Sequence, residues 1–224
     1  MNMLAFDTSS LACSVALLRE PEFNNNLLHR IAPRQQAHLL LPMIRELMTD
    51  AVLSYQQLDA LAFGCGPGSF TGIRIAASAA QAIGLVANCP IVPVSSLAAA
   101  AQAAYLDKQW MKLLVAQDAR MGQIYWALYQ IDAQGLAVAV HGDQLCKIEE
   151  IALPARVENY YAIGDAWEAY AEQLIARVEC EPVEVDSKQC PTGLAIGKLA
   201  QVKLAKGEWV TPAGALASYL GGKR

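Results

Sequence analysis

Gly64-Cys65-Gly66-Pro67-Gly68-Ser69-Phe70-Thr71-Gly72-Ile73-Arg74 decides how this chain reads. A short apolar run, Leu58 to Phe63, leads into it, and an alanine-rich segment, Ile75 to Ala87, leads out. Strand, glycine-rich turn and helix is the order in which backbone N–H groups at a helix N-terminus can face an anion. Gly64, Gly66, Gly68 and Gly72 let other chain approach closely, and Ser69 or Thr71 is placed to cap the helix. Two phosphate-binding motifs fail here. A Walker A loop needs Lys-Ser/Thr after its last glycine, where this chain has Ile73-Arg74. A dinucleotide fingerprint needs a third glycine where Thr71 stands. The plain reading is a tight strand-to-helix turn.

The chain has 224 residues, enough for one large or two small domains. Hydrophobic residues make up 54% and charged ones 17%, and Ile75 to Leu106 carries no charge at all. That run invites a membrane span, but Pro90 and Pro93 break it and Gln81, Asn88 and Gln102 interrupt it. Two covered helices are expected instead, with no membrane. No basic leader precedes Met3-Leu4-Ala5-Phe6, and the six cysteines contain no CxxC pair, so a reduced, cytoplasmic protein is expected. The three histidines are not spaced as metal ligands. A net charge of −4 argues against tight autonomous nucleic-acid binding.

Outward from the loop, strands are expected at Leu4–Phe6, Cys13–Leu18, Phe23–Ile31, Leu58–Phe63 and Ile91–Val94, with the Asn24-Asn25-Asn26 turn opening the third. Gln36–Leu53 has helical spacing, with Pro42 inside it, and Ser95 caps a helix to about Tyr105. A second half begins near Asp107. Its strands are Lys112–Gln117, Gln123–Ile131, Leu136–Val140 and Tyr160–Gly164, and its helices Trp167–Val178 and Gly193–Leu204. Asp7 and Asp118 each end a strand, open a hairpin and are followed nine residues on by Ala-Leu. This faint duplication predicts an α/β protein of two lobes, 1–106 and 107–224, each built from a strand-hairpin-helix unit.

Leu4-Ala5-Phe6-Asp7-Thr8-Ser9, the Gly64–Arg74 loop, Pro93-Val94-Ser95-Ser96-Leu97 and Asp118-Ala119-Arg120 together resemble the TsaB (YeaZ) family. The resemblance covers most of residues 1–130. It implies an actin-like ATPase fold and a part in making N6-threonylcarbamoyladenosine beside the tRNA anticodon. In that pathway TsaC makes threonylcarbamoyl-AMP, TsaD transfers the group and TsaE is an ATPase. TsaB partners TsaD as a heterodimer, forms a homodimer without it, and reaches tRNA only through the complex. Where the family shows glycine-x-glycine this chain has Gly164-Asp165-Ala166, and its end reads Tyr219-Leu220-Gly221-Gly222 rather than Tyr-Leu-Arg, so the tail is assigned no role.

TsaD holds its metal with two histidines four apart on a helix face; Ser96 and Ala100 stand at those places here. No metal, no catalytic residue and no cofactor are expected, so the chain reads as a non-catalytic subunit. For Asp7, Thr8, Ser9, Asp118 and Gly164 hairpin-turn roles are the preferred reading, and a vestigial ATP/ADP site is the alternative. A kinase or ATPase using Asp7 and Asp118 is the rival function. A peptidase lacks both a metal site and a triad, since His29 and His141 have no nucleophile pattern beside them and His38 reads as an ordinary first-turn residue. The partner surface is expected on two apolar helix stripes: Leu40, Ile44, Leu47 and Met48, and Ile73, Ala76, Ala77, Ala80 and Ile83. On that expectation Ala77→Arg leaves a folded monomer unable to bind its partner.

Overall fold

The computed structural model describes residues 1–19, 26–153 and 156–221. Phe23, Asn24 and Asn25 of the expected third strand and its turn, and Gly222 of the tail, lie outside the described residues. Two five-stranded mixed sheets carry the fold. The first is built from β1 (Asn2–Asp7), β2 (Ala12–Arg19), β3 (Asn26–Ile31), β4 (Ala60–Gly66) and β5 (Ile91–Ser95), in the order β3-β2-β1-β4-β5. The second uses β6 (Lys112–Arg120), β7 (Gln123–Ile131), β8 (Ala137–Lys147), β9 (Tyr161–Ile163) and β10 (Val185–Asp186), in the order β8-β7-β6-β9-β10. In each, three meandering antiparallel strands are followed by two parallel ones, so the connectivity of the two sheets is the same.

Alternation along the strands sorts the layers. Leu4 and Phe6 of β1 point toward α1 (Gln36–Asp50) and α2 (Phe70–Ala87), while Met3 and Ala5 point to the opposite face. There Ala5, Ala16, Ala60 and Ala62 leave room for α3 (Ser96–Lys108) and α6 (Gly193–Ala205) to lie close on the sheet. Leu97, Ala100, Ala101 and Ala104 on the far side of α3 pack against Leu113, Val115, Ala127 and Tyr129 of the second sheet. The outer face of that sheet is covered by α4 (Ala166–Ala169) and α5 (Ala171–Val178). The stack is therefore helices, sheet, helices, sheet, helices. α3 is alanine-rich because it is buried between two sheets, where a larger side chain on either face would hold the layers apart.

Three expectations change. The expected Trp167–Val178 helix is two helices broken at Tyr170. β8 runs seven residues beyond Val140, and β10 had no sequence signal because it is two residues long. Although each sheet comes from one half of the chain, α6 and Val210 return to the first sheet, Val210 by bridging to Ile91. A division at residue 106 therefore does not describe the packing of α6 and Val210. α2 is long and apolar enough to cross a bilayer, yet half of it is buried inside this fold.

Candidate functional site

The glycine loop is the end of β4 and the first turn of α2, and it lies on the turn that joins β1 to β2. Ser69 N donates to Ser9 O at 2.7 Å, and Thr8 Oγ1 donates to Gly72 O at 2.7 Å. Ser69 is the cap: its Oγ accepts from Gly72 N at 3.3 Å. A side chain at Gly64 would collide with the Asp7 carboxylate, at Gly68 with the Ser9 carbonyl, and at Gly72 with the Thr8 carbonyl. Close approach is the reason for these glycines, and what approaches is the chain's own 7–9 turn. Gly66, preceding a cis proline, abuts Ser218 instead.

Asp7 is fully buried. Its Oδ1 accepts from Ser9 N and Ser9 Oγ, each at 2.9 Å, and its Oδ2 accepts from Ser96 Oγ at 3.2 Å. Burial pushes its carboxyl above the ordinary value, against the pull of those hydrogen bonds. Ser96 and Ala100 are the two positions at which a metal-binding histidine pair would stand, and Ala100 is core between α3 and the second sheet. Among the described residues no group of three or more His, Cys, Asp and Glu gathers as a metal site.

On the second lobe Asp118 turns back on its own hairpin. Its carboxylate accepts from Arg120 N and pairs with Arg120 Nη1, both at 2.8 Å. Asp118 N donates to Asp165 Oδ1 at 2.9 Å, and burial raises the Asp165 carboxyl. A side chain at Gly164 would overlap the Ala116 carbonyl. Asp7, Thr8, Ser9, Asp118 and Gly164 thus all serve local or loop-to-loop contacts. The segment entering α6 is seated on β1 and β2, with Gly193 N donating to Ser14 Oγ at 2.9 Å.

Leu40, Ile44, Leu47, Met48, Ile73, Ala76, Ala77, Ala80 and Ile83 are not on the surface. All nine belong to the first lobe's own core, against β1, β2 and β4, which corrects the partner stripe read from spacing. The periodicity located the buried face of each helix, and the sheet covers that face completely. The outward faces carry Leu41, Pro42 and Arg45 on α1, and Phe70, Arg74, Ser78, Ala82, Leu85 and Val86 on α2. Leu41, Phe70, Leu85 and Val86 are large apolar side chains more than half exposed. His38 is exposed, His29 sits in the edge strand β3, and His141 stacks on Trp126 at 4.7 Å.

The tail has contacts that the sequence did not disclose. Ser218 N donates to Cys65 O at 2.7 Å, Gln81 Nε2 to Ala215 O at 3.0 Å, and Arg74 Nε to the Tyr219 hydroxyl at 2.7 Å. Arg74 also lies over the Phe70 ring, 3.7 Å from its centre. Tyr219 therefore joins Phe70 and Arg74 at the exposed start of α2.

Comparison with known proteins agrees with this geometry. Residues 27–203 match the family model for TsaD, tRNA N6-adenosine threonylcarbamoyltransferase. The chain is 36% identical over 212 residues to the tRNA threonylcarbamoyladenosine biosynthesis protein TsaB of Haemophilus influenzae, covering 91% of this chain and 86% of that one. It is 36% identical over 180 residues to TsaB of Escherichia coli, covering 77% and 74%. Among solved structures, YeaZ from Pseudomonas aeruginosa superposes with a TM-score of 0.90 at 36% identity, covering 98% of this chain and 99% of that one.

Proposed function

The chain belongs to the TsaB (YeaZ) family, and from that premise we propose that it serves N6-threonylcarbamoyladenosine formation in tRNA as a non-catalytic, cytoplasmic partner of TsaD. One observation carries the reading: Asp7 and Asp118, the two groups that the kinase reading relies on, are already bonded within the chain. Both Asp7 oxygens are taken by Ser9 and Ser96, Asp118 is paired with Arg120, and the glycine loop is filled by the 7–9 turn. A Mg-phosphate at this place would have to compete with these contacts. We therefore hold that no nucleotide binds between Asp7 and Asp118. Calorimetry of the purified chain with Mg-ATP is expected to give no heat, and saturable binding lost in Asp118→Ala would restore the kinase reading.

The identical strand order of the two sheets supports reading the lobes as one duplicated actin-like unit. The partner surface is the outward face of α1 and α2, extended by Tyr219, where large apolar side chains lie exposed beside Arg74. TsaD is the occupant of this face, a second copy takes its place when TsaD is missing, and TsaE and tRNA are engaged through the complex. Purified chain added to TsaC, TsaD, TsaE, tRNA, threonine, bicarbonate and ATP is expected to restore modification. Equal modification without it would overturn the reading.

A further inference from the structure

We propose that Ser95, Tyr129 and Asp143 form a clasp that ties the second lobe to the end of β5, where the chain passes from the first lobe into α3. Ser95 Oγ donates to Asp143 Oδ2 at 2.6 Å, and the Tyr129 hydroxyl donates to Asp143 Oδ1 at 2.6 Å. Ser95 Oγ also accepts from Ala98 N at 3.1 Å, capping α3. Ser95 ends β5 in the first lobe, while Tyr129 and Asp143 stand on β7 and β8 of the second. The carboxylate thus uses both oxygens to tie two lobes through two hydroxyl donors in a part-buried place, with the Tyr129 ring itself buried.

The position gives the contact its meaning. β5 ends at Ser95 and α3 begins at Ser96, so the chain passes from the first sheet into the inter-lobe helix with no loop between. From there α3 is bolted to the second lobe along its length. Gln102 donates to Gly135 O and accepts from Ala137 N, and Lys108 pairs with Asp186 at 2.6 Å. Toward the first sheet and α6, α3 offers the methyl groups of Ala99 and Ala103, with Ser96 bonded to Asp7. α3 is thus held from both sides, and the clasp fixes the point where the chain leaves the first sheet for that helix. Gly66 pairs with Ser95 in the sheet, so the clasp also steadies the strand that becomes the glycine loop. This rests on the chain's own geometry and is independent of the partner reading above.

Hydrogen exchange on the full-length chain tests it, comparing the parent with Tyr129→Phe and, separately, Asp143→Asn. Loss of the clasp is expected to speed exchange about tenfold on both sides of the junction, in the first turn of α3 and 60–66 as well as in 141–146, with β1 and β2 unchanged. Exchange that is unaltered, that rises only within the β7–β8 hairpin, or that rises equally throughout the chain would overturn it. Tyr129→Phe removes one oxygen and keeps the ring, so the comparison remains readable if Asp143→Asn perturbs the lobe more widely.

Discussion

Buried carboxyls and crowded glycines make sharp demands at single positions. Burial is the leading cause that raises Asp7, Asp143 and Asp165. A folded-state value above the unfolded one means that the folded protein holds the proton more tightly. Stability is then greatest below the ordinary value of 3.8 and declines as pH rises through the shifted range. Urea melts between pH 4 and pH 7 are expected to show that decline, with a shallower slope in Asp7→Asn; equal slopes would place the Asp7 carboxyl back at its ordinary value. Asp186 works below this window: desolvation is its largest single influence and raises it, but the hydrogen bonds from Lys108, Lys188 N and Gln189 N, with the Lys108 charge, together lower it, so its contribution is lost only as pH falls further. Among the glycines, Gly72→Ala drives a methyl into the Thr8 carbonyl and is expected to cost at least about 2 kcal/mol. Gly122→Ala meets nothing within 4 Å and carries only the cost of a positive φ, about 1 kcal/mol. Equal midpoints for the two in denaturant titration would contradict the packing of the loop on the 7–9 turn.

The helices show how far a periodic pattern reaches. Spacing located the apolar stripes of α1 and α2 but was silent on what covers them. Ala77 is 6% exposed and packs in the first core, so Ala77→Arg is now expected to unfold the lobe, since an unpaired buried charge costs several kcal/mol. Ala82 lies on the opposite, exposed side of the same helix. Ala82→Arg is expected to leave the melting temperature nearly unchanged and to abolish co-purification with TsaD. If the two substitutions behave alike, the assignment of inner and outer faces is wrong. β8 shows a different limit. Its continuation through His141-Gly142-Asp143-Gln144 alternates polar groups that read as a loop, yet one of them, Asp143, reaches across to Ser95.

At the scale of the whole molecule, α6 and residues 210–218 pack with the first lobe. α6 lies on β1 and β2, Val210 bridges to Ile91, and Ala215 is fully buried in the first core. Removing residues 210–224 is expected to lower the melting temperature by several degrees and to raise exchange in α2 and the glycine loop. An unchanged melt would mean that the tail is only draped over the surface. By the same reasoning residues 1–106 alone are expected to remain unfolded or aggregated, because the alanine face of the first sheet is then uncovered.

The sequence by itself determined most of the elements and their class. Strand and helix periods, the Ser69 and Ser95 caps and the glycine turn are local properties, and Asp7 with Asp118 marked the two hairpins. Tertiary structure alone decided what those elements face. Whether an apolar stripe meets a partner or the chain's own sheet depends on layers brought from distant segments, as Leu40 and Ala77 show. Whether Asp7 awaits a ligand or is already bonded depends on Ser96, 89 residues away, and the tail's place depends on Arg74, 145 residues before Tyr219. Such contacts leave no period in the chain, because a hydrogen bond across the fold constrains two residues and nothing between them.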